Sequence, residues 1–163
     1  MTVRPAAVRI RDAVQEDIPA VSRLLAETWH DTYDVLLGAA RVAEITRRWH
    51  ALDVLAAQLG VRGTAFLVAE TEDTLAGHGL AMWRDGHLHL ARLYVAPKCQ
   101  RRGVGRQLLA ALADRFPGAT GIRLEVEKGN VKGVGFYRQA GFTATGESVD
   151  DGAVILAMEK RLA

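Results

Sequence analysis

The sequence predicts a mixed α/β (α+β) protein, with a central mixed sheet of about six to seven strands flanked by helices. Between 64 and 95, three strand-like runs follow one another across short polar turns, which is typical of an antiparallel meander. An amphipathic helix and an alternating run at 122–126 come next, so the strands before and after that helix are expected to be parallel. Two more strand-like runs, 142–147 and 153–160, end the chain.

The elements before the meander are a strand and two helical regions. Val8-Arg9-Ile10-Arg11 alternates between apolar and polar residues, which predicts a short first strand. Asp17-Ile18-Pro19 predicts a helix start, because Asp is favoured at the cap or in the first turn and Pro is tolerated there. A second helical region runs from Ala39 to about Leu59, with an expected break near His50. Trp49 and His50 are interpreted as the end of its buried stripe.

Length and composition predict one domain over residues 1–163. The chain is 49% hydrophobic and 25% charged, unlike disordered or disulfide-rich proteins. No apolar run approaches the ~20 residues that cross a bilayer. Its single cysteine, Cys99, excludes an internal disulfide, so a cytoplasmic location is expected. The net charge of +2 is too small to require nucleic acid, and we expect neither a nucleic-acid nor a membrane partner.

The most informative stretch is 93–109, where a strand, a basic turn and a helix start follow in succession. Leu93-Tyr94-Val95 is β-prone, Pro97 ends the strand, and a helical apolar stripe begins at Val104. Between them, glycines leave the backbone amides unscreened, and arginines surround the turn. Exposed amides at a helix N-terminus favour a phosphate or pyrophosphate.

Two common phosphate-binding motifs do not fit this turn. A P-loop requires Lys and Ser/Thr after its second glycine, and neither Gly103 nor Gly105 is followed by them. The dinucleotide-binding motif needs a small residue where this chain has Leu108. What remains is Gln/Arg-x-x-Gly-x-Gly/Ala, which Gln100, Gly103 and Gly105 match.

This motif resembles the cofactor motif of the GNAT superfamily of acetyl-CoA-dependent N-acetyltransferases, and the resemblance runs nearly end to end. The matching segments are Arg11-x-Ala13 with Asp17, Leu93-Tyr94-Val95-x-Pro97, Gln100-Arg101-Arg102-Gly103-Val104-Gly105, Leu124-x-Val126 with Asn130, Phe136-Tyr137-x-x-x-Gly141-Phe142 and Met158-Glu159-Lys160. The resemblance implies acetyl-CoA as a co-substrate and no metal.

The resemblance also implies how the cofactor is held. In such enzymes the strand before the turn separates from its parallel neighbour, which frees backbone groups for the pantetheine arm, while the turn takes the pyrophosphate. Asn130 would orient the cofactor or the following helix. The implied cofactor-binding residues are Leu93, Tyr94, Val95, Gln100, Arg101, Arg102, Gly103, Val104, Gly105, Arg106, Asn130 and Tyr137.

The candidate catalytic residues are Tyr137 and His89. Tyr137 matches the tyrosine that faces the CoA sulfur in the family, and a phenol can protonate a thiolate; a packing role is the alternative. His89 stands where many relatives carry Glu, and an imidazole can accept an ammonium proton; a structural or substrate-contact role is the alternative. His87 should lie on the same strand face as His89, and two histidines on one face suggest a metal site. A third ligand at suitable spacing is absent from the sequence. Cys99 lies in the phosphate turn, so no acyl-cysteine route is expected.

The acceptor site is expected at the first helices, where Trp29, Asp31 and Tyr33 cluster, with Trp83 as a wall from the third strand. Trp29 as a core residue and Asp31 as a solvated carboxylate are alternatives. The predicted function is acetyl transfer to a primary amine of a small molecule or peptide by direct attack in a ternary complex. An acyl-CoA-binding sensor without turnover is the alternative. Dimers are common among similar proteins, so a homodimer is a further expectation.

Overall fold

The computed structural model describes residues 7–162. Its strands are β1 (Arg9–Asp12), β2 (Thr64–Glu70), β3 (Leu75–Arg84), β4 (His87–Val95), β5 (Gly121–Glu127), β6 (Thr143–Asp150) and β7 (Ala153–Arg161). Its α-helices are α1 (Ile18–Leu37), α2 (Ala39–Trp49), α3 (Leu52–Ala56), α4 (Val104–Asp114) and α5 (Val131–Gln139). The predicted domain, 1–163, includes residues 1–6 and 163, which lie outside the described residues.

All these strands belong to one sheet, in the order β1-β2-β3-β4-β5-β7-β6. The strands β1 to β4 are antiparallel neighbours, and so are β5, β7 and β6. Between these two groups, β4 and β5 form a parallel pair, which α4 connects as the crossover helix. The mixed sheet with flanking helices confirms the predicted fold class.

Helices cover both faces of the sheet, and each face has its own buried cluster. On one face, Leu108 and Leu112 of α4 pack with strand residues that include Leu88. On the other face, α1 and α3 pack on β2 and β3 through residues such as Leu25 and Leu55. Because successive strand residues point to opposite faces, His87 and His89 of β4 lie on the α1 face.

The helical region that ends near residue 59 follows the prediction in part. The expected break is confirmed, since α2 ends at Trp49 and α3 begins at Leu52. The interpretation of Trp49 as buried was wrong, because its side chain is 60% exposed. His50 takes the buried position instead, and its ring lies 5.7 Å from that of Trp29. None of the helices within residues 7–162 has the length and apolar character to cross a membrane.

Candidate active site

The parallel strands β4 and β5 pair at one end only. Leu88 lies opposite Ile122 and His89 lies opposite Arg123, and the pairing stops there. Beyond this point β5 stays paired with β7 and β4 stays paired with β3. The two strands therefore separate, and an open notch lies between them after His89.

The backbone of Leu93 and Val95 faces this notch. The amide of Ala96 donates to the carbonyl of Ala76 in β3 at 2.8 Å. In an antiparallel pair, residues bonded to the neighbouring strand alternate with residues whose backbone groups point away from it. Because Ala96 is bonded to β3, Tyr94 is the next bonded residue. The backbone groups of Leu93 and Val95 therefore point away from β3. The backbone groups of Leu93 and the amide of Val95 are therefore presented to an extended ligand that would take the place of a paired strand.

Gln100 closes one end of the notch. Its Nε2 donates to the Val95 carbonyl at 3.2 Å, and its Oε1 accepts from Nζ of Lys132 in α5 at 2.9 Å. The side chain of Gln100 thus connects the end of β4 to α5. Lys132 was not identified from the sequence, because only the tertiary structure brings this residue of α5 to Gln100.

The turn between β4 and α4 presents unpaired backbone amides. From Arg101 to Arg106, no backbone N–H donates to an acceptor in the described part of the chain, and the helical ladder begins where Gln107 donates to Gly103 at 3.1 Å. Arg101 and Gly103 have φ of 65° and 79°. Such alternation with left-handed residues turns neighbouring amides into an anion-binding concavity. The side chains of Arg101, Arg102 and Arg106 are exposed around it.

The second glycine of the motif has a packing role as well. Gly105 is buried, and a Cβ at this position would lie 3.2 Å from the ring of Phe136 and 3.6 Å from Val95. Val104 is 2% exposed, so its side chain belongs to the core while its amide belongs to the turn. Cys99 is also buried, at 6% exposure, among core residues.

Tyr137 lies on α5, which packs against β5, and its ring packs against the buried cluster that includes α4. Its ring packs edge-on against Phe136 at 5.3 Å and Phe142 at 5.4 Å. Burial raises the pKa of the Tyr137 hydroxyl, and the nearby hydroxyls of Tyr94 and Tyr33 raise it further. Tyr137 is therefore protonated at neutral pH, which is the form that can donate to a thiolate.

Asn130 precedes α5 as its N-cap. Its Oδ1 accepts from the amide of Gly133 at 3.0 Å, and its Nδ2 lies 3.5 Å from the hydroxyl of Tyr33. Asn130 was expected to orient either the cofactor or the following helix. Its hydrogen bond to the Gly133 amide is a contact with that helix.

His89 lies in a groove of about 210 Å³ whose polar lining includes His87, Arg84 and Glu125. Burial lowers the pKa of His89, and the positive charge of Arg84 lowers it further, while Glu125 opposes this shift. At neutral pH the imidazole is therefore uncharged, which is the form that accepts a proton. Within residues 7–162 no cluster of three or more metal-ligating side chains occurs, here or elsewhere.

A bulge in β4 brings a charged residue that the sequence reasoning missed onto the face of His89. Leu80 pairs with Arg92, but the next residue of β3, Ala81, pairs with Leu90. The extra residue, Ala91, shifts the alternation, so that His89 and Arg92 both lie on the α1 face. The available signal was a single arginine in the otherwise apolar run from Leu90 to Val95.

The four predicted acceptor residues do not come together. Trp29 and Tyr33 lie one helical turn apart on α1 with ring centroids at 4.6 Å, and Tyr33 is buried. Asp31 points to the opposite side of α1 and is exposed. Trp83 pairs with Leu88, so it lies on the α4 face, and it stacks on Phe116 at 6.4 Å. Trp83 was predicted as a wall of the acceptor site from the third strand, but strand alternation puts it on the face of the sheet opposite Trp29 and Tyr33.

A mixed sheet with a notch between its parallel strands, followed by an amide-lined turn at a helix start, defines the acetyltransferase class that the sequence resembles. Residues 36–162 match the model of the acetyltransferase (GNAT) domain, and the chain belongs to this family.

Curated relatives match only part of the chain. The protein ML0378 of Mycobacterium leprae is 37% identical over 50% of this chain and 23% of its own length. The peptidyl-lysine N-acetyltransferase YjaB of Salmonella typhimurium is 36% identical over 39% of this chain and 42% of its own length. The chain thus matches less than half the length of either relative.

Solved structures match almost the whole chain. The PaiA N-acetyltransferase of Thermoplasma acidophilum, solved in complex with coenzyme A, superposes with a TM-score of 0.86. It is 24% identical, and the match covers 96% of this chain and 99% of that chain. This similarity shows the shared fold.

Proposed function

We propose that this protein transfers the acetyl group of acetyl-CoA to a primary amine by direct attack in a ternary complex. The observation that carries the proposal is the separation of β4 and β5 after His89, with the amide-lined turn at one end and Tyr137 on α5, which packs against β5. The notch offers extended backbone for an amide-rich arm, and the turn offers unpaired N–H groups for a pyrophosphate. Both groups occur in acetyl-CoA.

The residues around the notch account for the proton transfers that the reaction needs. The amine nitrogen forms a bond to the acetyl carbonyl carbon, and the bond from that carbon to sulfur breaks. The neutral imidazole of His89 receives the ammonium proton, directly or through water, before attack. The protonated phenol of Tyr137 gives its proton to the departing thiolate, and the second N–H proton that the attacking nitrogen loses on becoming an amide restores the phenol. His89 returns its proton to solvent, so coenzyme A leaves as the thiol and the acetylated product as a neutral amide.

A turnover screen tests the proposal. The full chain is incubated with acetyl-CoA and a panel of primary amines, including polyamines, amino acids and peptides, while free thiol is measured and the product is weighed by mass spectrometry. We expect thiol release that depends on the amine and a product heavier by one acetyl group. Saturable acetyl-CoA binding without amine-dependent thiol release would instead support the acyl-CoA sensor.

A further inference from the structure

Arg92 is a partly buried cation that the acetyl transfer described above does not use. Its Nε donates to Nε2 of His78 at 3.0 Å, and its Nη2 donates to Oε1 of Gln58 at 2.5 Å. Its guanidinium carbon lies 5.6 Å from the centre of the Phe66 ring. Uncharged acceptors and an aromatic face therefore hold this group in one orientation.

His78 can accept the hydrogen bond from Arg92 in only one tautomer. His78 is fully buried, and its Nδ1 lies 2.8 Å from the carbonyl of Leu67. A carbonyl only accepts, so Nδ1 carries the proton and Nε2 has the lone pair that receives Arg92. Protonation of Nε2 would break the bond to Arg92, so His78 remains neutral while it positions the guanidinium.

The charge of Arg92 has no counter-ion in the described part of the chain. No carboxylate lies within 4.0 Å of it, although buried charges in proteins are normally paired. Nη1 donates to no described group and is not completely buried, whereas Nε and Nη2 are both bonded.

Arg92 lies on the face of the sheet that α1 covers, and α1 carries the acceptor candidates Trp29 and Tyr33. Leu80, the residue of β3 that pairs with Arg92, packs with Val21 and Leu25 of α1 in the buried cluster on this face. Because of the bulge in β4, Arg92 also shares its face with His89. The positive group thus borders the region between α1 and the notch.

We propose that Arg92 binds a carboxylate on the acceptor, so that this enzyme acetylates amines that also carry a negative charge, such as amino acids or peptides with a free carboxyl group. The inference rests on the proposed function, because it assigns the substrate class of that same site. A guanidinium presents parallel N–H groups that fit a carboxylate, and an anion at Nη1 would supply the missing counter-charge.

Matched acceptors and two variants test the proposal by turnover. Pairs that differ only in the carboxylate, such as L-lysine with cadaverine and glycylglycine with its C-terminal amide, are compared by kcat/KM. We expect the wild type to prefer the carboxylate member by at least about tenfold. Arg92→Gln should remove that preference through a higher KM for the carboxylate member only. Arg62→Gln, which removes an exposed arginine elsewhere, should retain the preference.

Equal kcat/KM for both members of each acetylated pair, or a preference that survives Arg92→Gln, would overturn the proposal. Unchanged acetyl-CoA affinity of Arg92→Gln shows that the variant is folded. If Arg92→Gln fails this control, Arg92→Lys serves in its place, and loss of the preference is again expected because an ammonium cannot reproduce the guanidinium geometry.

A binding measurement separates this proposal from the failure of acetyl transfer itself. The ¹⁵N resonance of Arg92 Nε is followed while acetate replaces chloride at constant ionic strength. To be assigned to Arg92, the resonance must disappear in Arg92→Lys and persist in Arg62→Gln. A saturable shift of this resonance would identify the anion site even if no amine is acetylated. A resonance that acetate does not move overturns the proposal.

Discussion

Asn130 joins the start of α5 to the first helix, because its Nδ2 lies 3.5 Å from the hydroxyl of Tyr33 while its Oδ1 caps α5 at the amide of Gly133. The residues are 97 positions apart in the chain. One amide side chain thus connects the helix that carries Tyr137 to the helix that carries Trp29 and Tyr33. This contact couples the proposed thioester side of the site to the proposed acceptor side.

Replacing Asn130 separates its two contacts. Asn130→Ala removes both, and we expect a loss of about 1 kcal/mol in the free energy of unfolding from the missing cap. Asn130→Asp keeps an oxygen for the Gly133 amide and should retain most of that stability, but it loses the amide donor to Tyr33. Chemical denaturation of both variants measures the difference, and equal losses would contradict the capping role.

Removing the Tyr137 hydroxyl should lower turnover more than acetyl-CoA affinity. Phe keeps the ring contacts with Phe136 and Phe142, so Tyr137→Phe removes only the proton donor. We expect kcat to fall by about 10²-fold, with a change in acetyl-CoA Kd of less than about threefold. Tyr94→Phe is the matched control and should change kcat far less. An unchanged kcat in Tyr137→Phe would exclude the acid role.

His89→Gln should lower kcat and change its pH dependence. Since burial lowers the pKa of His89, the base form is complete at neutral pH and is lost only as the pH falls through a value below 6.5. The wild-type rate should therefore have an acid limb in that range, and His89→Gln should lack it. His87→Gln, in the same groove, should retain the limb. A limb that persists without His89 would assign the base elsewhere.

The left-handed conformation of Gly103 predicts a difference between two substitutions. Its φ of 79° strains most side chains, whereas Asn adopts this region more readily. No atom lies nearer than 3.9 Å to a Cβ at this position, so steric contact is not the limit. Gly103→Val should distort the turn and raise the acetyl-CoA Kd by at least about tenfold, while Gly103→Asn should change it by less than about threefold. Calorimetry measures both, and similar affinities would contradict an amide cradle.

Acid should destabilise the fold through two buried histidines. Burial lowers the pKa of His50 to about 4 and that of His78 to about 3, from the ordinary histidine pKa of 6.5. As the pH falls below 6.5, these histidines bind protons in the unfolded chain before they do so in the folded protein. The free energy of unfolding therefore decreases, by about 2 kcal/mol for each histidine between pH 7 and pH 5. His50→Gln should remove about half of this decrease in urea unfolding. An unchanged pH dependence would contradict the burial of a neutral His50.

The sequence determined the local elements and the glycine-containing turn between β4 and α4, since strand alternation, helical spacing, Pro97 and the glycines act over a few neighbouring residues. It determined the three strand-like runs between 64 and 95, where β2, β3 and β4 lie, and the break between α2 and α3. Its resemblance to the acetyltransferase family agrees with the match over residues 36–162. These features depend on short-range backbone preferences and on apolar patterning, which a single sequence displays directly.

Only the tertiary structure decided which side chains meet. The bulge at Ala91 puts Arg92 on the face of His89, and strand alternation separates Trp83 from Trp29. The contacts of Asn130 with Tyr33 and of Gln100 with Lys132 join segments far apart in the chain. Pairing register, bulges and helix docking depend on long-range packing, and a shift of one residue reverses the face of every side chain that follows. For that reason the turn of the proposed acetyl-CoA side could be predicted from the sequence. The grouping of Arg92 with the α1 residues on the proposed acceptor side could not, because it depends on the fold.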